Sequence, residues 1–171
     1  MTLKYQPNAF NKVIATIASS AVGAAIFSRI LHPIDGAIIR ATKGKRSAAG
    51  VLAGLPIVSL TAKGAKSGKE RTVPLVGIPD GENIILIASN WGQRKNPSWY
   101  YNVIANPDVA VEFDGNTHRF VAREVTDSAE RADLWRKAAA LYAGYNSYRQ
   151  RASHRQIPVI LLTPASVVVS D

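Results

Sequence analysis

The chain contains no cysteine, which removes disulfides, thiolate catalysis and cysteine-ligated zinc or iron–sulfur centres together. Redox work would need a borrowed cofactor. Histidine is nearly as scarce: His32, His118 and His154 stand far apart, with no His-x-x-His or His-Glu-x-x-His spacing, so no metal site is expected. Acidic residues are few, and Asp80, Asp114, Asp127 and Glu130 are explained by turns and caps, which leaves little for paired-carboxylate chemistry. A Gly-x-Ser-x-Gly elbow is absent, so a hydrolase of that type is unsupported. The sequence also lacks internal repeats, low-complexity linkers and a long apolar run. The uncharged stretch Val13 to Ser28 is 16 residues, rich in Ala and Ser, and short of the ~20 needed to span a bilayer. A cleaved signal peptide fits poorly too, since only Lys4 and Lys12 precede that stretch, and Arg29 to Arg40, with Ile38 and Ile39, reads as continued helix or core.

What is present is apolar and basic. Of 171 residues 47% are hydrophobic, and 21 Lys and Arg against 12 Asp and Glu give a net charge of +9. That length fits one domain, or one domain with a helical appendage, and the charge attracts a nucleic acid, an anionic membrane surface, or an acidic cofactor or substrate. Residues 1–50 read as an N-terminal helical segment. Phe10, Val13, Ile14, Ile17, Val22, Ile26, Phe27, Ile30 and Leu31 have a mostly helical spacing that Pro33 ends, and Ser47-Ala48-Ala49-Gly50 reads as a junction. Residues 51–171 form the main domain. Here short β-type runs alternate with turn signals: Ile57 to Ala62; Arg71 to Ile78 joined to Asn83 to Ser89 through Pro79-Asp80-Gly81-Glu82; Val109 to Phe113 joined to Thr117 to Val125 through Asp114-Gly115-Asn116; and Ile157 to Leu162. Two helices interrupt them. Asn96 is expected to cap the first, with Pro97 at its first position, and Asp127 with Glu130 forms a capping box for the second, which reaches about Tyr142. Mostly antiparallel strands with flanking helices give an α+β class and a small barrel rather than a doubly wound sheet.

Charge and aromatic residues concentrate in three places. Gly64-Ala65-Lys66-Ser67-Gly68-Lys69-Glu70-Arg71-Thr72 resembles a P-loop only superficially, because three residues separate the glycines and Glu70 stands where a magnesium-binding Ser or Thr belongs. It remains a glycine-flexed loop with Lys63, Lys66, Lys69 and Arg71, suited to phosphate or carboxylates, or else a solvated basic hairpin. Arg94 and Lys95 precede the second place, the start of the first helix, where Ser98, Trp99 and Tyr100 would open an anion-attracting terminus. Just before it, Ala88-Ser89-Asn90-Trp91-Gly92 ends a strand with polar residues and a glycine, allowing a planar ligand to approach, with Trp91 as pocket wall or core lid. The third place holds Tyr142, Tyr145 and Tyr148, spaced by three. On a continuous helix that spacing drifts about 60° per step, so the rings spread around one side, either as aromatic packing or as a pocket wall that donates hydrogen bonds or protons.

Taken in order, Thr61, Gly64-Ala65-Lys66-Ser67-Gly68, Arg71, Pro74-Leu75, Ala88-Ser89, Lys95-Asn96-Pro97-Ser98-Trp99-Tyr100, Asn102, Ala105-Asn106-Pro107, the tyrosine segment and Ile157-Pro158-Val159 resemble the deazaflavin-dependent nitroreductase family over roughly residues 55–164. The resemblance implies a split β-barrel of the FMN-binding-like kind. It implies binding of the 8-hydroxy-5-deazaflavin coenzyme F420, and hydride transfer to a quinone, nitro compound or other electron-poor acceptor. That coenzyme joins a planar ring to a phosphodiester and an oligoglutamate tail, which asks for a flat slot and a basic groove. By the same resemblance Ala65, Lys66, Ser67 and Arg71 hold the phosphate and tail, with Ser98, Trp99, Tyr100 and Asn102 at the helix start, and Ile87, Ala88, Ser89 and Asn90 line the ring. Tyr142, Tyr145, Tyr148 and Trp91 shape the acceptor site, and Tyr145 or Ser89, or water, delivers a proton. At Asn90-Trp91-Gly92 the chain is bulkier than part of the family. An FMN- or FAD-binding split barrel and a basic barrel holding single-stranded nucleic acid are the alternatives; the resemblance itself implies no nucleic acid partner. A homodimer, a cytoplasmic location and contact of the N-terminal helix with the inner face of the membrane complete the expectations.

Overall fold

The computed structural model describes Leu3 and residues 55–165. The expected helix over residues 10–31 and the domain boundary at residue 50 lie outside the described residues. The elements in chain order are β1 (Ile57–Lys63), β2 (Glu70–Val76), β3 (Ile78–Asp80), β4 (Asn83–Ile87), α1 (Ser98–Ala105), β5 (Asp108–Phe113), β6 (Asn116–Glu124), α2 (Ser128–Leu141), α3 (Gly144–Arg151) and β7 (Val159–Pro164). All described strands join one antiparallel sheet in the order β2-β1-β5-β6-β7-β4-β3. Its two edges, β2 and β3, are adjacent in the chain. The sheet therefore curls until one short step carries the backbone from edge to edge, which is the split barrel expected.

That step corrects the single strand expected over Arg71 to Ile78. The run breaks at Gly77, whose N–H donates to Pro56 O at 2.9 Å. A Cβ there would lie 2.7 Å from Val58 Cγ1 and 3.2 Å from Ile84 Cγ2, so the crossing needs a residue without a side chain. Gly77→Ala is expected to cost about 1–3 kcal/mol through overpacking, read as a lowered midpoint in thermal unfolding. A midpoint equal to that of the parent chain would mean the edges do not close as described.

Alternation assigns the two sides of the sheet. In β5, Val109, Val111 and Phe113 turn inward while Asp108, Ala110 and Glu112 turn out. With Val58, Leu60, Ala62, Ile84, Leu86, Phe120, Ile160 and Leu162 they fill the barrel interior, to which Leu3 and Trp99 add. Strands β4 and β7 are buried on both faces, which is why they read as unbroken apolar runs. Their outer residues Ile85, Ile87, Val159 and Leu161 meet Leu134, Trp135 and Ala138 of α2 and the tyrosines of α3 in a second core. The hairpin from β5 to β6 turns at Asp114 and Gly115, with φ of 50° and 76°, the left-handed pair that a two-residue connection demands. Helix α2 starts as expected, Asp127 Oδ1 accepting from Glu130 N at 2.8 Å. The reciprocal half of the box is not formed, because the Glu130 carboxylate pairs with Arg123 instead.

Candidate active site

A groove of about 720 Å³ opens between the β1–β2 connection and α1. Its floor is Leu60, Ala62 and Val73; its lip is Gly64, Ala65, Lys66 and Ser67; Arg71 and Thr72 close one side, and Lys95, Asn96, Ser98, Trp99, Tyr101 and Asn102 the other. The lip is a closed loop. Gly64 N donates to Lys69 O and Gly68 N to Gly64 O, both at 2.9 Å. Helix α1 then fixes it from the side: Asn102 Oδ1 accepts from Ala65 N at 3.0 Å, and Asn106 Nδ2, one turn later, donates to Lys63 O at 3.1 Å. Lys66, Arg71 and Lys95 bring three cations to the groove, and no Asp or Glu among the described residues lines it.

The helix start differs from expectation. Pro97, not Asn96, is the capping residue of α1, and the first helical residue is Ser98. The Asn96 side chain is taken by Arg155, whose Nη1 donates to Asn96 Oδ1 at 2.6 Å. Ser98 and Trp99 still present the first turn to the groove, where the positive end of the helix dipole favours an anion. Tyr100 turns away: its hydroxyl donates to Glu124 Oε2 at 2.8 Å, and burial, then that carboxylate, pushes its pKa up to about 12.

Past β4 the backbone enters a left-handed turn, with φ of 45° at Asn90, 58° at Trp91 and 79° at Gly92. Such angles cost a non-glycine residue roughly 1–2 kcal/mol, so contacts elsewhere must hold the turn. Asn90 Nδ2 donates to Lys95 O at 2.8 Å, Arg151 Nε to Trp91 O at 3.3 Å, and the Trp91 ring meets Tyr148 edge-on at 5.9 Å.

Behind Trp91 lie the three tyrosines, all buried. Their rings meet at 5.3 Å for Tyr142 and Tyr145, 6.0 Å for Tyr142 and Tyr148, and 6.1 Å for Tyr145 and Tyr148. The Tyr142 and Tyr148 hydroxyls share a hydrogen bond of 3.0 Å. Burial is the first cause raising all three pKa values, so these phenols stay protonated near neutrality. They can donate a hydrogen bond but not act as bases.

The structure thus gathers Ala65, Lys66, Ser67, Arg71, Ser98, Trp99 and Asn102 around one groove. It sends Ile87 and Ala88 into the second and first cores, with their side chains off the groove wall. Ser89, Asn90 and Trp91 form the partly exposed turn beside it. Tyr145 is buried and packs against Tyr142 and Tyr148. Sequence reasoning missed Tyr101 and Val73, which border the groove from the first turn of α1 and from β2. Their signal is present only as proximity to Ser98 and Arg71.

Residues 34–164 match the model of the F420H(2)-dependent quinone reductase family. The chain belongs to that family. An F420H(2)-dependent quinone reductase is a deazaflavin-dependent oxidoreductase, so coenzyme F420, rather than FMN or FAD, is its redox partner. The Mycobacterium tuberculosis F420H(2)-dependent quinone reductase Rv1261c is 34% identical over 132 residues, which are 76% of this chain and 87% of that protein. A second relative from that organism, Rv3178, provisionally given the same name, is 40% identical over 119 residues, 70% of this chain and 98% of its own. Among solved structures, the F420-H2 dependent reductase FDR-A superposes with a TM-score of 0.57 at 40% identity, covering 63% of this chain and 93% of that one. The heme storage protein HutZ of Vibrio cholerae, at 13% identity and a TM-score of 0.50, shares the fold alone. In this quinone reductase the groove suits the coenzyme on its own observations, since a polyanionic tail finds three cations and, among the described residues, no carboxylate along the walls.

Proposed function

We propose that the chain transfers hydride from reduced F420 to a quinone, with the coenzyme's phosphodiester and glutamate tail on the loop from Gly64 to Arg71 and its ring turned toward Ser89 and Asn90. The observation that carries this is the acid-free groove with Lys66, Arg71 and Lys95 on its rim. Reduced F420 supplies the two electrons as a hydride when bound. The chain's own residues do the rest by position. Ala65, Lys66, Ser67 and Arg71 grip phosphate and carboxylates. Ser98 and Trp99 add the helix terminus, while Asn102 holds the loop through Ala65 N. Trp91, backed by Tyr148 and Tyr142, forms a stiff wall for the acceptor. The proton that a quinone oxygen takes up comes from the Ser89 hydroxyl or from water at the open turn, because Tyr145 is enclosed. A homodimer is supported by a similar structure titled a domain-swapped dimer, at 35% identity and a TM-score of 0.58. Action beside the anionic inner face of the membrane is supported by the +9 charge.

Titration of oxidised F420 into the protein tests the site, because Trp99 lines the groove. Saturable quenching of tryptophan fluorescence is expected, part of it lost in Trp99→Phe and part in Trp91→Phe beside the proposed ring seat, with FMN at equal concentration giving little. Quenching by FMN that equals or exceeds that by F420 would contradict the reading.

A further inference from the structure

We infer that Arg155 is a positioning residue for hydride transfer, locking the strand-end turn to the groove rim so that ring seat and tail seat keep one relative orientation. This rests on the function proposed above. Arg155 follows α3, 59 residues or more from every group it holds. Its three guanidinium nitrogens go to three different acceptors. Nη2 donates to Ser89 O at 2.8 Å, Nε to Gln93 O at 2.9 Å and Nη1 to Asn96 Oδ1 at 2.6 Å. These acceptors flank the left-handed residues Asn90, Trp91 and Gly92 on both sides. Asn96 also lines the groove, so one planar fork spans from the end of β4 to the wall of the tail site. Among the described residues no carboxylate pairs with Arg155, and its charge is directed to carbonyl and amide oxygens. Partial burial lowers its pKa, yet guanidinium remains charged in proteins.

The division of labour among the neighbouring cations supports this assignment. Among the described residues Arg151 donates only to Trp91 O, and its guanidinium lies over the Tyr148 ring at 4.9 Å. Arg149 stacks on Trp135 at 5.4 Å. Only Arg155, among the described arginines, touches both ends of the turn. A lysine offers a compact ammonium and no fork, so it can satisfy one end but not hold both in register. Misplacement of donor and acceptor by an ångström is felt in the chemical step far more than in binding of the distant tail.

The test compares the parent chain with Arg155→Lys and Arg155→Ala under quinone turnover with reduced F420, alongside amide hydrogen exchange without coenzyme. Both variants are expected to lose at least tenfold in kcat while KM for F420 changes less than about threefold. Exchange should rise in residues 89–96 and stay unchanged in α2, and added methylguanidinium should restore part of the kcat lost in Arg155→Ala. An unchanged kcat, a loss confined to KM, exchange that rises across the whole domain, or failure of both variants to fold would each overturn the positioning role in favour of a structural one. Absence of turnover by the parent chain would instead remove the function on which the inference rests, and the exchange pattern would still show whether Arg155 holds the turn.

Discussion

Replacing Lys66 and Arg71 together by alanine is expected to weaken F420 binding about 30-fold, with kcat at saturating coenzyme changed by less than about twofold. Both side chains are exposed at the groove lip, so each contact to phosphate or glutamate carboxylate is worth about 1 kcal/mol, above the usual surface pair and below a buried charge-assisted bond. Two such losses give roughly 2 kcal/mol, and about 1.4 kcal/mol corresponds to tenfold in Kd. The effect lies in binding rather than chemistry because these residues touch the tail, whose interactions are the same before and during hydride transfer. Two accompanying changes separate this role from general loss of charge. Raising salt should weaken the parent chain's binding more than the variant's, and a coenzyme without its glutamates should narrow the gap between the two. Equal Kd values for parent and double variant would place the tail elsewhere.

The second large effect belongs to the turn. In Gly92→Ala the new Cβ would lie 2.7 Å from Arg151 Cβ and 2.9 Å from Tyr148 O, at a φ of +79°. Left-handed backbone costs alanine roughly 1–2 kcal/mol, and the collision with α3 adds about 1–3 kcal/mol. A loss of about 2–5 kcal/mol lowers the unfolding midpoint by roughly 5–15 °C for a chain of this size. Gly115→Ala is the control, since its φ is +76° but nothing lies within 4 Å of its Cβ; it carries only the backbone cost. If both variants melt together, the contact between the turn and α3 does not contribute as described.

Local chemistry was readable wherever neighbours in sequence decide the outcome. Asp114-Gly115 needs nothing beyond its own φ preference to turn the β5–β6 hairpin, and Asp127 caps α2 through a residue three positions on. The basic loop was legible for the same reason, since glycines and cations are concentrated in it. What stayed hidden depends on residues that meet only in the fold. Gly77 breaks an otherwise strand-like run because Val58 and Ile84 close over it from across the barrel. Asn96 has the chemistry of a cap, but Arg155 arrives from 59 residues away and takes its oxygen. The tyrosines share a helical spacing that fits a pocket wall as well as a core. Their assignment to the core follows from Ile85, Ile87, Val159 and Leu161, which turn an outer sheet face toward them. The side chains of Ile87 and Ala88, expected beside the cofactor ring, pack into the two cores, which leaves only their backbone for such a contact.

The proposed reaction is oxidation of reduced F420 by a quinone at the groove rimmed by Lys66, Arg71 and Lys95. Its most direct test is to mix reduced F420 and a soluble quinone without oxygen and follow the return of the oxidised coenzyme's absorbance. Turnover is expected to require the protein, to saturate in both reactants, and at subsaturating coenzyme to fall about 30-fold in Lys66→Ala/Arg71→Ala, following the loss of affinity. Reoxidation no faster than in the protein-free control, or equal rates in parent and double variant, would contradict it.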